Sequence, residues 1–240
     1  MVLKHKKIPF RTEWIQFLDI QKKLKTIGFS PTTKRPNGED LCTIPSLLDP
    51  KPSSENPTLV TDSAAIVRYL DETYPKVPIF PPHPLREHHD SVLQELESIS
   101  RAHFVKLSVP AIAGVFNGLD GAGFRDRWKE QLGGVSLESL LEPDARLAAW
   151  KAAEEGWTRV ANVIDQAQEK EGVNPGAGPF VFGETPYYVD ICLVARLVVL
   201  RRLPVPEVDG NQKPWEVIKE WNGGRWAKMV AGLEAAAALD

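Results

Sequence analysis

Cysteine is almost missing from this chain. Its 240 residues hold only Cys42 and Cys192, far apart in sequence. Two such cysteines exclude a disulfide scaffold and fit a reducing, cytoplasmic setting. No apolar stretch approaches the ~20 residues that a transmembrane helix needs, so no membrane partner is expected. The segment Met1-Val2-Leu3-Lys4-His5-Lys6-Lys7 is basic, but no apolar core follows it, so it does not read as a secretory signal. The formal net charge is only -3, without a basic face, so nucleic acid is not an expected partner. The five histidines do not combine with the cysteines in any zinc spacing, so no metal is expected. His88-His89, set among Arg86, Glu87 and Asp90, reads as a solvated helix start.

Proline divides what is there. Pro75, Pro78, Pro81, Pro82 and Pro84 make an extended joint, because proline restricts itself and its predecessor. Before the joint, strand-like and helical signals alternate, which predicts an α/β layer. An extended run from Pro9 to Phe17 leads to a helix, and then to Thr43-Ile44-Pro45-Ser46-Leu47-Leu48. A second extended run, Thr58-Leu59-Val60-Thr61, ends in Asp62-Ser63 and opens a helix that finishes near Tyr74-Pro75. After the joint the pattern is helical. Val92, Leu93, Leu96, Ile99 and Leu107 form one stripe, which Pro110 should kink or end. Gly114 to Gly134 reads as a loop or a broken helix. Leu147, Trp150, Trp157, Val160 and Ile164 mark one face of an amphipathic helix. Val189 to Leu203 is apolar almost all round, the mark of a helix buried within a bundle. Trp215 to Trp221 and Trp226 to Ala238 read as two final helices parted by Gly223-Gly224.

Two short motifs carry the functional reading, and a third, structural one sharpens the resemblance. In Thr43-Ile44-Pro45, a proline enters a strand-like segment, a position a central strand avoids. Asp62-Ser63 is a helix cap, and a helix amino terminus offers unpaired N–H groups and partial positive charge to an anion. In Thr185-Pro186-Tyr187-Tyr188-Val189-Asp190, Thr185 is one candidate cap, with Pro186 in the first helical position.

In this order the motifs resemble the cytosolic glutathione transferases. The segments Ile8-Pro9-Phe10-Arg11-Thr12-Glu13-Trp14 and Gly38-Glu39-Asp40-Leu41-Cys42-Thr43-Ile44-Pro45 look most like fungal members related to bacterial lignin β-etherases. The resemblance implies a thioredoxin-like α/β domain over 1–79, truncated at its start, and an all-helical domain over 80–240. It implies a cis proline at Pro45, with Ile44 holding the cysteinyl backbone of glutathione in the manner of strand addition. Ser63 would bind the γ-glutamyl carboxylate through its N–H and hydroxyl, and Asp62 would face the α-ammonium. It also implies that the buried helix starts at Tyr187, where the family has a hydroxyl cap. Asp190 would keep half of a capping box, and the missing half should cost ~1 kcal/mol.

The expected activity is glutathione transfer. Glutathione, the co-substrate, is conjugated to a small hydrophobic electrophile or used to cleave one, in a detoxifying role and as a homodimer. A binding protein of the same fold, without turnover, is the alternative. The family's catalytic Tyr, Ser or Cys lies just after the first strand, and Met1 to Lys7 contains none of them. The catalytic residue is therefore unassigned and the fold is expected to lack its first strand. That strand and loop are expected upstream of Met1, which would be an internal methionine, and a short inactive isoform is the alternative.

Overall fold

The computed structural model describes residues 1–35, 37–51, 55–116, 118–174, 176–203 and 213–237. The elements are α1 (Val2–His5), α2 (Ile20–Ile27), β1 (Thr33–Lys34), β2 (Asp40–Leu41), β3 (Ser46–Asp49), β4 (Thr58–Thr61) and α3 (Ser63–Thr73). Helices α4 (Leu85–Val115), α5 (Gly118–Gln131), α6 (Pro143–Lys170), α7 (Tyr188–Arg202), α8 (Pro214–Ile218) and α9 (Trp221–Ala237) follow. Short 3₁₀ turns occupy Phe17–Asp19 and Glu138–Leu141. The expected order, an α/β half and then a helical half, is the order observed. Two compact units result: Pro9–Pro78, and Met1–Ile8 with Ile79–Asp240.

In the α/β unit, Gly28 ends α2 in a left-handed conformation (φ 104°), and the Gly28 and Phe29 N–H groups return to the Leu24 carbonyl. Helix α2 packs Ile20 and Leu24 against Phe29 and Cys42. Two antiparallel hairpins follow, β1–β2 and β3–β4. The sequence reading did not name β1–β2, although Asn37-Gly38 between them is a strong hairpin signal. The Glu39 N–H donates to Asn37 Oδ1 there at 3.1 Å.

Pro9 to Phe17 was expected as a strand and is not one. Residues 9–16 have no regular structure, and Trp14 is 90% exposed. With no ladder partner among the described residues, this backbone turns to water instead.

In the helical unit α4 runs on through Pro110 to Val115, so the proline neither ends it nor stops its burial. Most of the glycine-rich stretch after it forms a separate helix, α5, rather than a loop. Trp150, Trp157, Val160 and Ile164 of α6 are buried as expected, whereas Leu147, one turn earlier, is exposed. Helix α7 packs on α4, α8 and α9, and its apolar residues are almost wholly buried on every side. Asn222, Gly223 and Gly224 take left-handed conformations and split the last helix where the glycine pair predicted. The Asn222 side chain accepts from Trp226 Nε1 (2.9 Å) and donates to Thr158 (3.2 Å).

Helix α7 begins in the family register, at Tyr187, rather than at Thr185. The Tyr187 N–H donates to Asp190 Oδ2 at 2.9 Å, the surviving half of the box. The other carboxylate oxygen accepts from the Val181 N–H at 2.7 Å. Burial pushes the Asp190 carboxyl up to about 7, against backbone N–H donors that pull it down. His89 belongs to the same nucleus and is fully buried, not solvated as its neighbours suggested. Its Nε2 accepts from the Val189 N–H (3.3 Å), so the ring proton sits on Nδ1, facing Asp90 Oδ1 at 2.9 Å. Burial lowers the pKa of this imidazole, although the Asp90 carboxylate opposes the shift.

Gly156 lets α6 approach α4 closely. A Cβ there would lie 2.2 Å from His103 Cδ2, on a ring whose Nε2 accepts from Arg159 at 3.2 Å. Gly156→Ala improves helix propensity, but the clash outweighs that gain, so a net loss of ~1–2 kcal/mol is expected. Urea unfolding of the two proteins measures it.

Candidate functional site

The hairpin β3–β4 organises the candidate residues. Its register pairs Ser46 with Thr61, Leu47 with Val60, Leu48 with Leu59 and Asp49 with Thr58. Pro45 precedes Ser46 and Asp62 follows Thr61, so the antiparallel ladder carries both to one end of the hairpin. Ile44 and Ser63 are the next residues outward on either side. All four sequence-predicted residues therefore lie together in the α/β unit.

The Ile44–Pro45 peptide bond is cis. Thr43 before it is tethered twice: its carbonyl accepts from Ser46 Oγ (2.9 Å), and its hydroxyl meets the Thr32 hydroxyl (3.2 Å). Ile44 is 57% exposed. Among the described residues no hydrogen bond reaches its N–H or C=O. One donor and one acceptor, on a backbone whose neighbours are tethered, are left open to an extended partner.

Asp62 takes φ 81°, ψ 130°, a left-handed φ that non-glycine residues seldom adopt. From there its Oδ1 accepts from the Ala64 and Ala65 N–H groups, each at 3.0 Å. The capping role anticipated from sequence is thus present. Ser63, exposed at the first helical position, has no hydrogen bond to its N–H or hydroxyl among the described residues. A helix of eleven residues thus directs a free N–H and a hydroxyl outward at its positive end, the arrangement that holds a carboxylate.

Helix α3 is bolted to the hairpin at the other end. Asp49, buried at the end of β3, accepts from Tyr69 OH (2.8 Å) and Tyr74 OH (2.6 Å) through Oδ2, and from the Lys51 N–H (3.0 Å) through Oδ1. Burial raises the Asp49 carboxyl, but the hydrogen bonds from Tyr74, Lys51 and Tyr69 outweigh it and leave the pKa lowered. The bond to Asp49, with burial, pushes the Tyr74 phenol up to about 12. The sequence reading named Tyr69 and Tyr74 only as parts of a family pattern. It missed Asp49, which is 20 and 25 residues away from them. No spacing rule reaches that far.

Cys42 is fully buried beside Phe29, and Cys192 lies on α7, where burial pushes its thiol up to about 12. At Cys192 this disfavours the thiolate, the reactive form. Among the described residues no group of three or more His, Cys, Asp and Glu side chains is placed to hold a metal ion. No described helix is long and apolar enough to cross a membrane.

A thioredoxin-like half with an open strand-entry proline and a free helix terminus, followed by a helical bundle, defines a glutathione-transferase type of protein. The chain belongs to the glutathione S-transferase family: residues 1–73 match the family's N-terminal domain and residues 90–235 its C-terminal domain. It is 27% identical over 239 residues to the glutathione S-transferase-like protein ustS of Aspergillus flavus, covering 98% of this chain and 82% of that protein. Among solved structures it resembles the glutathione S-transferase CsGST63524 of Ceriporiopsis subvermispora, in complex with glutathione. The identity is 30% and the TM-score 0.81, with 98% of this chain and 87% of that one covered. Glutathione transferase GSTFuA3 of Phanerochaete chrysosporium is also similar, at 27% identity and a TM-score of 0.79, over 98% of this chain and 86% of that one.

The tyrosine–aspartate lock makes a pH prediction. Folding favours the protonated Tyr74 phenol, whereas the unfolded phenol titrates near 10. The contribution is complete below pH 10 and is lost as pH rises from 10 toward 12, because the unfolded state releases its proton first. Urea midpoints measured from pH 9 to 11 should fall less steeply in Tyr74→Phe, which has no phenol to titrate.

Proposed function

We propose that this protein binds glutathione in the α/β unit and transfers it to, or uses it to cleave, small hydrophobic electrophiles. In this reading residues 1–79 are the glutathione-binding domain and 80–240 the helical carboxy-terminal domain. The Ile44 N–H and C=O pair with the cysteinyl backbone, with Pro45 shaping the entry. Ser63 takes the γ-glutamyl carboxylate on its N–H and hydroxyl. The Asp62 Oδ2 oxygen, which no N–H of the cap uses, faces the α-ammonium.

One observation carries the proposal: a single hairpin register brings to one end the Ile44 N–H and C=O and the Ser63 N–H and hydroxyl, none of which has a hydrogen bond among the described residues. The two sites suit the two ends of a short peptide with an acidic head. The glutathione complex of the Ceriporiopsis relative supports the choice of ligand. The reading includes no metal, a cytoplasmic location and a homodimer, the assembly usual in this family. The catalytic residue stays unassigned, since Met1 to Lys7 holds no Tyr, Ser or Cys.

Calorimetric titration with glutathione tests the pocket. Ser63→Ala should weaken binding about tenfold, or about 1.4 kcal/mol. An unchanged affinity removes Ser63 from the pocket. Asp62→Ala should cost ~1 kcal/mol of stability through the lost cap, read by urea unfolding, and should weaken glutathione as well. Turnover of a chromogenic electrophile separates transfer from binding alone. A rate at background, together with intact glutathione affinity, would make this a binding protein.

A further inference from the structure

A polar side chain outside the hairpin and the four candidate residues bonds to the backbone just before Ile44. Gln21, half-buried on α2, accepts from the Cys42 N–H through Oε1 at 2.9 Å and donates to the Cys42 carbonyl through Nε2 at 2.5 Å. The orientation of its amide is dictated by chemistry: only the oxygen can meet an N–H, and only the nitrogen can meet a carbonyl. A primary amide presents the same donor and acceptor pair as a peptide group. Gln21 therefore does for Cys42 what a neighbouring strand does in a ladder.

The need for it follows from the chain's path. Strand β2 stops at Leu41 and β3 starts at Ser46, so among the described residues no ladder holds 42–45. Cys42 is wholly buried, with its side chain in the core beside Ile20, Leu24 and Phe29. Its N–H and C=O have no access to water and must be paired inside the protein. Thr43 is tethered through Thr32 and Ser46. Among the described residues the backbone anchors of Cys42 and Thr43 are thus side chains, and Gln21 supplies two of the bonds.

We infer that Gln21 is a positioning residue for glutathione: its amide replaces an absent strand neighbour at Cys42 and so holds the Ile44 N–H and C=O in place for the tripeptide backbone. The inference rests on the proposed function. It adds a residue 23 positions before Ile44 that does not touch the ligand. Substrate affinity then depends on a bond between α2 and the loop, and not only on groups that contact glutathione.

Three variants test it by glutathione titration, with amide hydrogen exchange in the free protein as a second readout. Gln21→Met keeps the length and the apolar stem but removes both bonds. It should raise the Kd about tenfold and speed exchange at the Cys42 amide by a similar factor, while Leu24 in the same helix stays protected. Gln21→Glu keeps the acceptor but sets a carboxylate against the Cys42 carbonyl. Its Kd relative to wild type should therefore be high at pH 7 and fall toward one as pH drops below about 4.3, where the introduced carboxyl regains a donor proton. Loss of packing alone gives no such recovery. Binding weakened by Ser63→Ala but unchanged in Gln21→Met overturns this inference alone. So does a Cys42 amide that stays protected in Gln21→Met, or a Gln21→Glu ratio that does not change with pH. Wild-type protein that fails to bind glutathione overturns the proposed function and this inference with it.

Discussion

The antiparallel pairing of Ser46 with Thr61 is the constraint on which the candidate site depends. A ladder of four residue pairs leaves no freedom of register, since a slip by one residue would turn every side chain to the opposite face. Once the register is set, the residues just outside the strands, Ile44-Pro45 and Asp62-Ser63, must lie at the same end. The cap at Asp62 then starts α3 directly from the strand, and Asp49 ties that helix back at the far end through two phenols. Hairpin and helix are held at both ends, and the groups left without partners sit at the end where the ligand is proposed to bind.

The same rule, that buried polar groups find partners, governs the helical unit. Helix α7 is buried at its first turn, which therefore cannot rely on water for the N–H groups that every helix leaves open. His89 and Asp190 meet that need. Asp190 takes the Tyr187 and Val181 N–H groups and His89 takes that of Val189. The neutral, Nδ1-protonated form of His89 is a consequence of its position against a helix amino terminus, where a charged ring would lose its acceptor and face a like partial charge.

Local signals in the sequence were read well where the residues involved are neighbours. Thr58 to Thr61 is a strand, Asp62 caps a helix, Val189 onward is a buried helix, and Gly223-Gly224 breaks the last one. Readings failed where burial or pairing came from distant residues. Leu147 has the right helical spacing, yet it is exposed. His89 sits in a charged stretch, yet a residue 100 positions later claims its ring nitrogen. The run Pro9 to Phe17 has the composition of a strand and no partner to make it one. Gln21 and Asp49 are ordinary polar residues by any local criterion.

The sequence by itself determined the order of elements, the proline joint between the two halves, the strand-to-cap motif at Thr58 to Ser63 and the family resemblance. These depend on spacing, capping chemistry and backbone preference, all of which act within a few residues. Only the tertiary structure decided which backbone groups are satisfied and which are left open. It brought Gln21 to Cys42, Tyr69 and Tyr74 to Asp49, and His89 to Val189, and among the described residues it left the Ile44 backbone and Ser63 without hydrogen bonds. A hydrogen bond between residues twenty or a hundred positions apart leaves no periodic trace in a chain. It exists because the packed core removes water from one partner and places the other within 3 Å or so.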